Sequence, residues 1–140
     1  KRAAEGGGWL TWVVSVDDVS KVEARLGRQA VDGHRTKPDG HDLSWKQIGV
    51  LGTLEDKQLP FFIEWKSLDH PSTDGKAIAK IVKVEIAGDE KRIQEWLGSE
   101  LSVALGSEVE IIWLTPADTE GESGIVAVHL MTPNGVVRLD

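Results

Sequence analysis

Cysteine is absent from the 140 residues, so the chain has no disulfide framework and no thiolate site. Zero cysteine suits the cytosol, and a cytoplasmic location is the expectation. Nothing approaches the roughly 18 consecutive apolar residues that span a bilayer. The longest uncharged apolar stretches, such as 9–16, are the length of a strand, and no membrane partner is expected. Clusters of positive charge are also missing. The net charge is −7, and Arg25, Arg28, Arg35 and Lys37 are a local group among 16 basic residues rather than a stripe. Phosphate binding needs a basic face that releases counterions, so nucleic acid is not an expected partner. No phosphate-cradling loop, serine nucleophile motif or dinucleotide fingerprint occurs. Gly6-Gly7-Gly8 precedes a strand rather than a helix and reads as a flexible joint. Residues 1–8 have no apolar h-region and so no secretory signal. With Lys1 rather than Met at the start, they read as a tail or linker in a piece of a longer protein.

A repeated plan is present. An alternating apolar strand turns directly into an amphipathic helix ending in Leu-Gly, first over 10–27 and again over 82–98. An offset of 71 pairs Asp18 with Asp89, Val22 with Ile93, Leu26 with Leu97 and Gly27 with Gly98. Asp17 or Asp18 is expected to cap the first helix, and Gly27 to close it in the left-handed conformation. Lys37-Pro38-Asp39-Gly40 is a tight turn joining strands around 30–36 and 42–50. A polar connection at 51–58 leads to a strand rich in aromatics at 59–66. The segment 67–76 reads as a linker. Beyond it come a strand at 78–87, a helix at 89–97, and strands near 109–115, 125–131 and 136–139. Residues 117–123 are acidic and expected to form a loop. The first unit is therefore 9–75 and the second 76–140, each β-α-β-β-β. Each helix has one apolar stripe, which calls for sheet on one side and water on the other, an α+β layer architecture.

Several strings make the chain resemble a known superfamily. They are Gly7-Gly8-Trp9-Leu10-Thr11-Trp12-Val13-Val14-Ser15-Val16-Asp17-Asp18, Arg35-Thr36-Lys37-Pro38-Asp39-Gly40 with Leu43-Ser44-Trp45, Gln58-Leu59-Pro60-Phe61-Phe62-Ile63-Glu64-Trp65, and His70-Pro71-Ser72. With the duplicated plan, they resemble the vicinal oxygen chelate superfamily of glyoxalase I, bleomycin resistance proteins and extradiol dioxygenases. The specific likeness is to its glyoxalase-like branch in actinobacterial proteins. The resemblance implies tandem β-α-β-β-β units in a curved mixed sheet with helices on the outer face and a small organic molecule in the cup. It also implies a further unit ahead of Gly7, so that a pocket shared with that unit is incomplete here. Lyase- or isomerase-type chemistry is one implied activity. Non-catalytic sequestration, or dimerisation through open sheet edges, is the alternative, with a homodimer as the implied assembly.

Metal-dependent members hold a divalent ion with four His or Glu side chains from the first and last strands of two units. The resemblance maps those places to Thr11, Glu64, a position between Ile81 and Lys83, and Arg138, of which only Glu64 is a plausible ligand. No metal site is therefore expected within this chain unless ligands come from outside it. Glu64 interrupts an otherwise apolar strand, and strand alternation puts it on one face with Phe62. If Phe61, Ile63 and Trp65 pack under the helices, Glu64 points into the cup as a hydrogen-bond acceptor or general base. A salt bridge to Arg35 or Lys46 is the structural alternative. Six tryptophans without a tyrosine mostly speak of core packing. Trp45, near Arg35 across the hairpin, is the ring expected to line a ligand site. Thr11, Arg35, Trp45 and Phe62 are thus candidate ligand contacts, with Glu64 as the candidate catalytic group. His34, His41 and His70 fit turn or surface roles, and His129 fits a hydrogen-bonded strand histidine.

Overall fold

The computed structural model describes residue 4, residues 6–70 and residues 75–140. Pro71 and Ser72 of the quoted strings, part of the expected linker and part of the 1–8 tail lie outside the described residues. Among the described residues, eight strands and four helices follow in two successive runs. The first is β1 (Val13–Ser15), α1 (Val19–Leu26), β2 (Val31–Thr36), β3 (Asp42–Ile48), α2 (Gly52–Glu55) and β4 (Phe61–Trp65). The second is β5 (Lys80–Ala87), α3 (Glu90–Leu97), α4 (Leu101–Leu105), β6 (Glu110–Leu114), β7 (Gly124–Thr132) and β8 (Gly135–Leu139). The class is α+β, and the described strands form no closed barrel.

The two helix starts obey the same local chemistry. Asp18 has extended backbone, and its carboxylate accepts the Ser20 N–H at 3.0 Å. Asp89 repeats this with the Arg92 N–H at 3.1 Å. Each carboxylate satisfies a backbone donor that the first turn leaves unpaired. Gly27 and Gly98 close the helices at φ 63° and 73°, a left-handed conformation that glycine adopts without strain. The apolar stripes bury Val19 and Val22 on α1, and Ile93 and Leu97 on α3.

After the helices the units diverge. The strands form two four-stranded sheets, ordered β1-β4-β3-β2 and β6-β5-β7-β8. In the first, β1 runs parallel to β4, the last strand of its unit. In the second, β5 runs parallel to β6 and antiparallel to β7. The extra helix α4, which the sequence pattern did not signal, lengthens the crossover between β5 and β6. It has no side-chain N-cap bond, and so lacks the usual start signal. Two expected connections also carry structure. Residues 51–58 include α2, and the acidic loop begins with a 3-10 turn at Pro116–Thr119. The Asp118 carboxylate accepts both the Thr115 N–H and hydroxyl, at 2.8 and 2.6 Å.

One apolar core joins the units. Val14, Ile48 and Phe62 of the first sheet pack with Val19 and Val22 of α1. The same cluster contains Ile86, Ile93, Leu97 and Leu101 of the second unit. The segment ahead of β4 reinforces the junction. Within the first unit the Trp12 indole N–H donates to the Gln58 carbonyl (3.1 Å), and across the junction the Trp96 indole donates to the Pro60 carbonyl (2.8 Å). Arg25 donates to the Trp96 carbonyl and lies over the Phe62 ring.

Candidate functional site

Strand register sorts the candidate residues onto two faces of the first sheet. Trp45 lies opposite Trp65, Arg35 opposite Leu43, and Val13 beside Phe61. These residues share the face away from α1, and the alternation carried back from Val13 puts exposed Thr11 there too. Ile48 lies opposite Phe62 and Lys46 opposite Glu64, on the face that α1 covers. The structure thus brings Thr11, Arg35 and Trp45 to one face and places Phe62 and Glu64 on the other.

That reverses the orientation expected of Glu64. The face of Phe61, Ile63 and Trp65 is the one free of helices, because Val14, Ile48 and Phe62 supply the apolar surface that α1 needs. Phe62 is 1% exposed, with its ring 6.2 Å from that of Trp96. Glu64 Oε2 accepts the Val19 N–H at 3.0 Å, and Oε1 pairs with Lys66. The Lys66 ammonium, then the Val19 N–H, hold its carboxyl below the usual range. Neither Arg35 nor Lys46 is its partner. Lys46 instead lies 3.6 Å from Asp32.

The helix-free face carries an aromatic platform. The Trp45 and Trp65 centroids are 5.4 Å apart at a tilt of 55°, and His70 meets Trp65 edge-on at 4.8 Å. Gly33 lies under Trp45, where a Cβ would overlap the indole ring. The Trp45 N–H donates to Gln47 Oε1 at 2.9 Å, which orients the ring. Arg35 is exposed and makes no hydrogen bond or ion pair among the described residues. The tilted Trp45–Trp65 pair and the unengaged Arg35 guanidinium thus lie on adjoining strands of this face. Lys37 ties the hairpin turn to Asp69 at 2.8 Å, drawing the segment after β4 beside this platform.

The corresponding face of the second sheet holds a polar cluster. Glu85 Oε1 is 2.6 Å from His129 Nε2, and the Arg138 guanidinium donates to both Glu85 oxygens at 2.9 Å. The Arg138 fork, followed by His129, holds the Glu85 carboxyl down at about 2. In return, Glu85 raises the Arg138 guanidinium above its ordinary value. A register shift between Glu85 and Ile86 marks a bulge beside the cluster. His129 is the hydrogen-bonded strand histidine expected from its pattern. Glu85 escaped sequence reasoning, since one carboxylate in a Lys-Val-Glu-Ile alternation looks like an ordinary wet face. Among the described residues no three His, Asp or Glu side chains converge to hold a metal ion.

The family profile of the glyoxalase-like domain matches residues 1–101, more than half of the chain. The chain belongs to the glyoxalase-like domain family. The match ends where α4 begins, the same point at which the second sheet departs from the strand order of the first. A solved hypothetical protein from Staphylococcus aureus is similar to this glyoxalase-like domain at 16% identity and a TM-score of 0.49. The alignment covers 95% of this chain and 53% of that one, so the domain spans about half the length of that protein. No curated protein matches it. Among the described residues, no helix is long and apolar enough to cross a membrane.

Proposed function

We propose that this glyoxalase-like domain binds a small organic molecule on the helix-free face of its first sheet. The supporting observation is the Trp45–Trp65 pair beside an unengaged Arg35. Flat apolar surface with a few placed polar groups is the usual composition of a small-molecule site. Trp45 and Trp65 supply the stacking surface, Arg35 holds a carbonyl or anionic oxygen, and the Thr11 hydroxyl adds a second polar contact. Phe62 supports the sheet from behind, and Glu64 anchors the start of α1. The test is a screen of small aromatic carbonyl compounds followed by the indole N–H signals. Hits are expected to shift Trp45 and Trp65 and to weaken about tenfold in Arg35→Ala. Hits that leave both indoles unmoved, or bind Arg35→Ala equally, would overturn this reading.

A catalytic reading is favoured by a different observation, the Glu85–His129 contact of 2.6 Å. An imidazole oriented by a carboxylate at Nε2 keeps Nδ1 free to take a proton from a substrate. Arg138 keeps Glu85 ionised for that task. Should lyase or isomerase turnover be found, His129→Gln is expected to abolish it and Glu64→Gln to retain it. The opposite pattern would return the catalytic role to Glu64.

Self-association is the remaining reading, and β8 favours it. Among the described residues this strand pairs with β7 alone, apart from the Trp9 indole that donates to the Leu139 carbonyl, and it exposes Val136, Val137 and Leu139. An open β-branched edge is a template for a second strand. Sedimentation equilibrium is expected to show a dimer that Val137→Lys dissociates; a monomer in the parent chain rejects it.

A further inference from the structure

The junction of α1, α2 and α3 borders an open cleft of about 400 Å³ that belongs to neither helix-free face. That volume is within the range of small-molecule sites. Its apolar wall is made by Leu26, Leu59, Pro60 and Trp96. Arg28 stands beside this wall with its guanidinium carbon 5.3 Å from the Trp96 ring centroid.

The charges of the cleft are not equally available. Arg92 is committed to Asp56, with a contact of 2.7 Å. Arg28 has no ion pair among the described residues, and its guanidinium lies over the Trp96 indole face. An indole stabilises the cation but accepts none of its in-plane N–H groups, so the donor fork remains open. Such a fork matches the two oxygens of a carboxylate. Glu55 and Glu95 also line the cleft, and a second negative charge on a ligand would be repelled by them.

We propose that this cleft is a second binding site, for a monocarboxylate with a small apolar body. The carboxylate takes the Arg28 fork, and the body lies along Trp96 and Leu26. This site shares no residue with the aromatic platform, so the proposal stands independently of the reading given above.

Hydrocinnamate is the probe, titrated into the isotope-labelled domain while the six indole N–H signals are followed. The Trp96 signal is expected to shift saturably. Binding is expected to fall about tenfold or more for the neutral amide of the probe and in Arg28→Gln, since a charge-assisted fork is lost in both. Phthalate, a dianion, is expected to bind more weakly than hydrocinnamate. Arg28→Lys, which keeps the charge without the fork, is expected to lie between the parent and Arg28→Gln. Arg28 is exposed, and unchanged circular dichroism of each variant would tie the loss to the ligand contact. The proposal is overturned if hydrocinnamate fails to saturate, or if Arg28→Gln binds it as tightly as the parent. Equal binding of the amide, of phenylpropylamine or of phthalate overturns it as well. So do shifts confined to Trp45 and Trp65.

Discussion

Glu85 and Glu64 are both carboxylates on sheet strands, yet their surroundings give them different work. Glu85 is gripped by the Arg138 fork and His129, which bring its carboxyl from the ordinary 4.5 to about 2. A carboxyl held below its unfolded value adds stability that is fully present above about 4.5 and lost as pH falls through the folded value. Acid titration of the parent is therefore expected to show stability declining between about pH 4.5 and 2. Glu85→Gln should flatten that part of the profile, as measured by urea midpoints at each pH; an unchanged slope would refute the linkage. Phe62 makes the complementary point for an apolar residue. It is 1% exposed in the shared core. Phe62→Ala is expected to cost about 3–5 kcal/mol by denaturant titration, through lost contacts and a residual cavity.

At the scale of elements, the duplicated helices are stabilised chiefly at their ends. Asp89 satisfies a first-turn donor of α3, and Asp89→Ala is expected to cost about 1 kcal/mol. Asp89→Asn, which keeps an acceptor, should recover most of it in the same urea measurement. These ends were legible because a cap is a local signal: Asp before an apolar stripe and Gly after it. Strand positions were legible for a similar reason, as alternation and the Pro38–Gly40 turn are short-range features. Helix α4 was not. Its five residues, Leu-Ser-Val-Ala-Leu, show too few turns for a periodic stripe and have no side-chain cap bond. Its presence accompanies the rearranged strand order of the second sheet.

Across the whole molecule, the continuous core implies that the two units unfold together. Ile86, Ile93 and Leu97 share one cluster with Val14 and Phe62, and Arg25 links α1 to the end of α3. Thermal unfolding is expected to be a single transition, with tryptophan fluorescence and far-ultraviolet circular dichroism superimposing. Two separated transitions would contradict the shared core. Arg25→Ala is expected to lower stability by about 1–2 kcal/mol, because a charge-assisted bond between the units is removed. The Arg25–Trp96 contact joins positions 71 apart, the offset of the sequence repeat. The repeat thus marks corresponding points at which the two units meet.

The amino-acid sequence by itself determined the α+β class, the order of the eight strands and of the two capped helices α1 and α3, the caps themselves and the family likeness. Each of these follows from local periodicity, short turns or contiguous strings of residues. It also grouped Phe62 with Glu64, because alternation dictates which strand residues share a face. Only the tertiary structure decided which face the helices cover. That choice turned Phe62 into core and Glu64 into an anchor for α1, while leaving Trp45 and Arg35 on the open side. The meeting of Glu85, His129 and Arg138 was likewise decided by strand pairing, since residues 44 and 53 positions from Glu85 leave no local trace of their contact. Register and layer packing are set by where apolar surface is buried across the whole chain, and no local pattern specifies that.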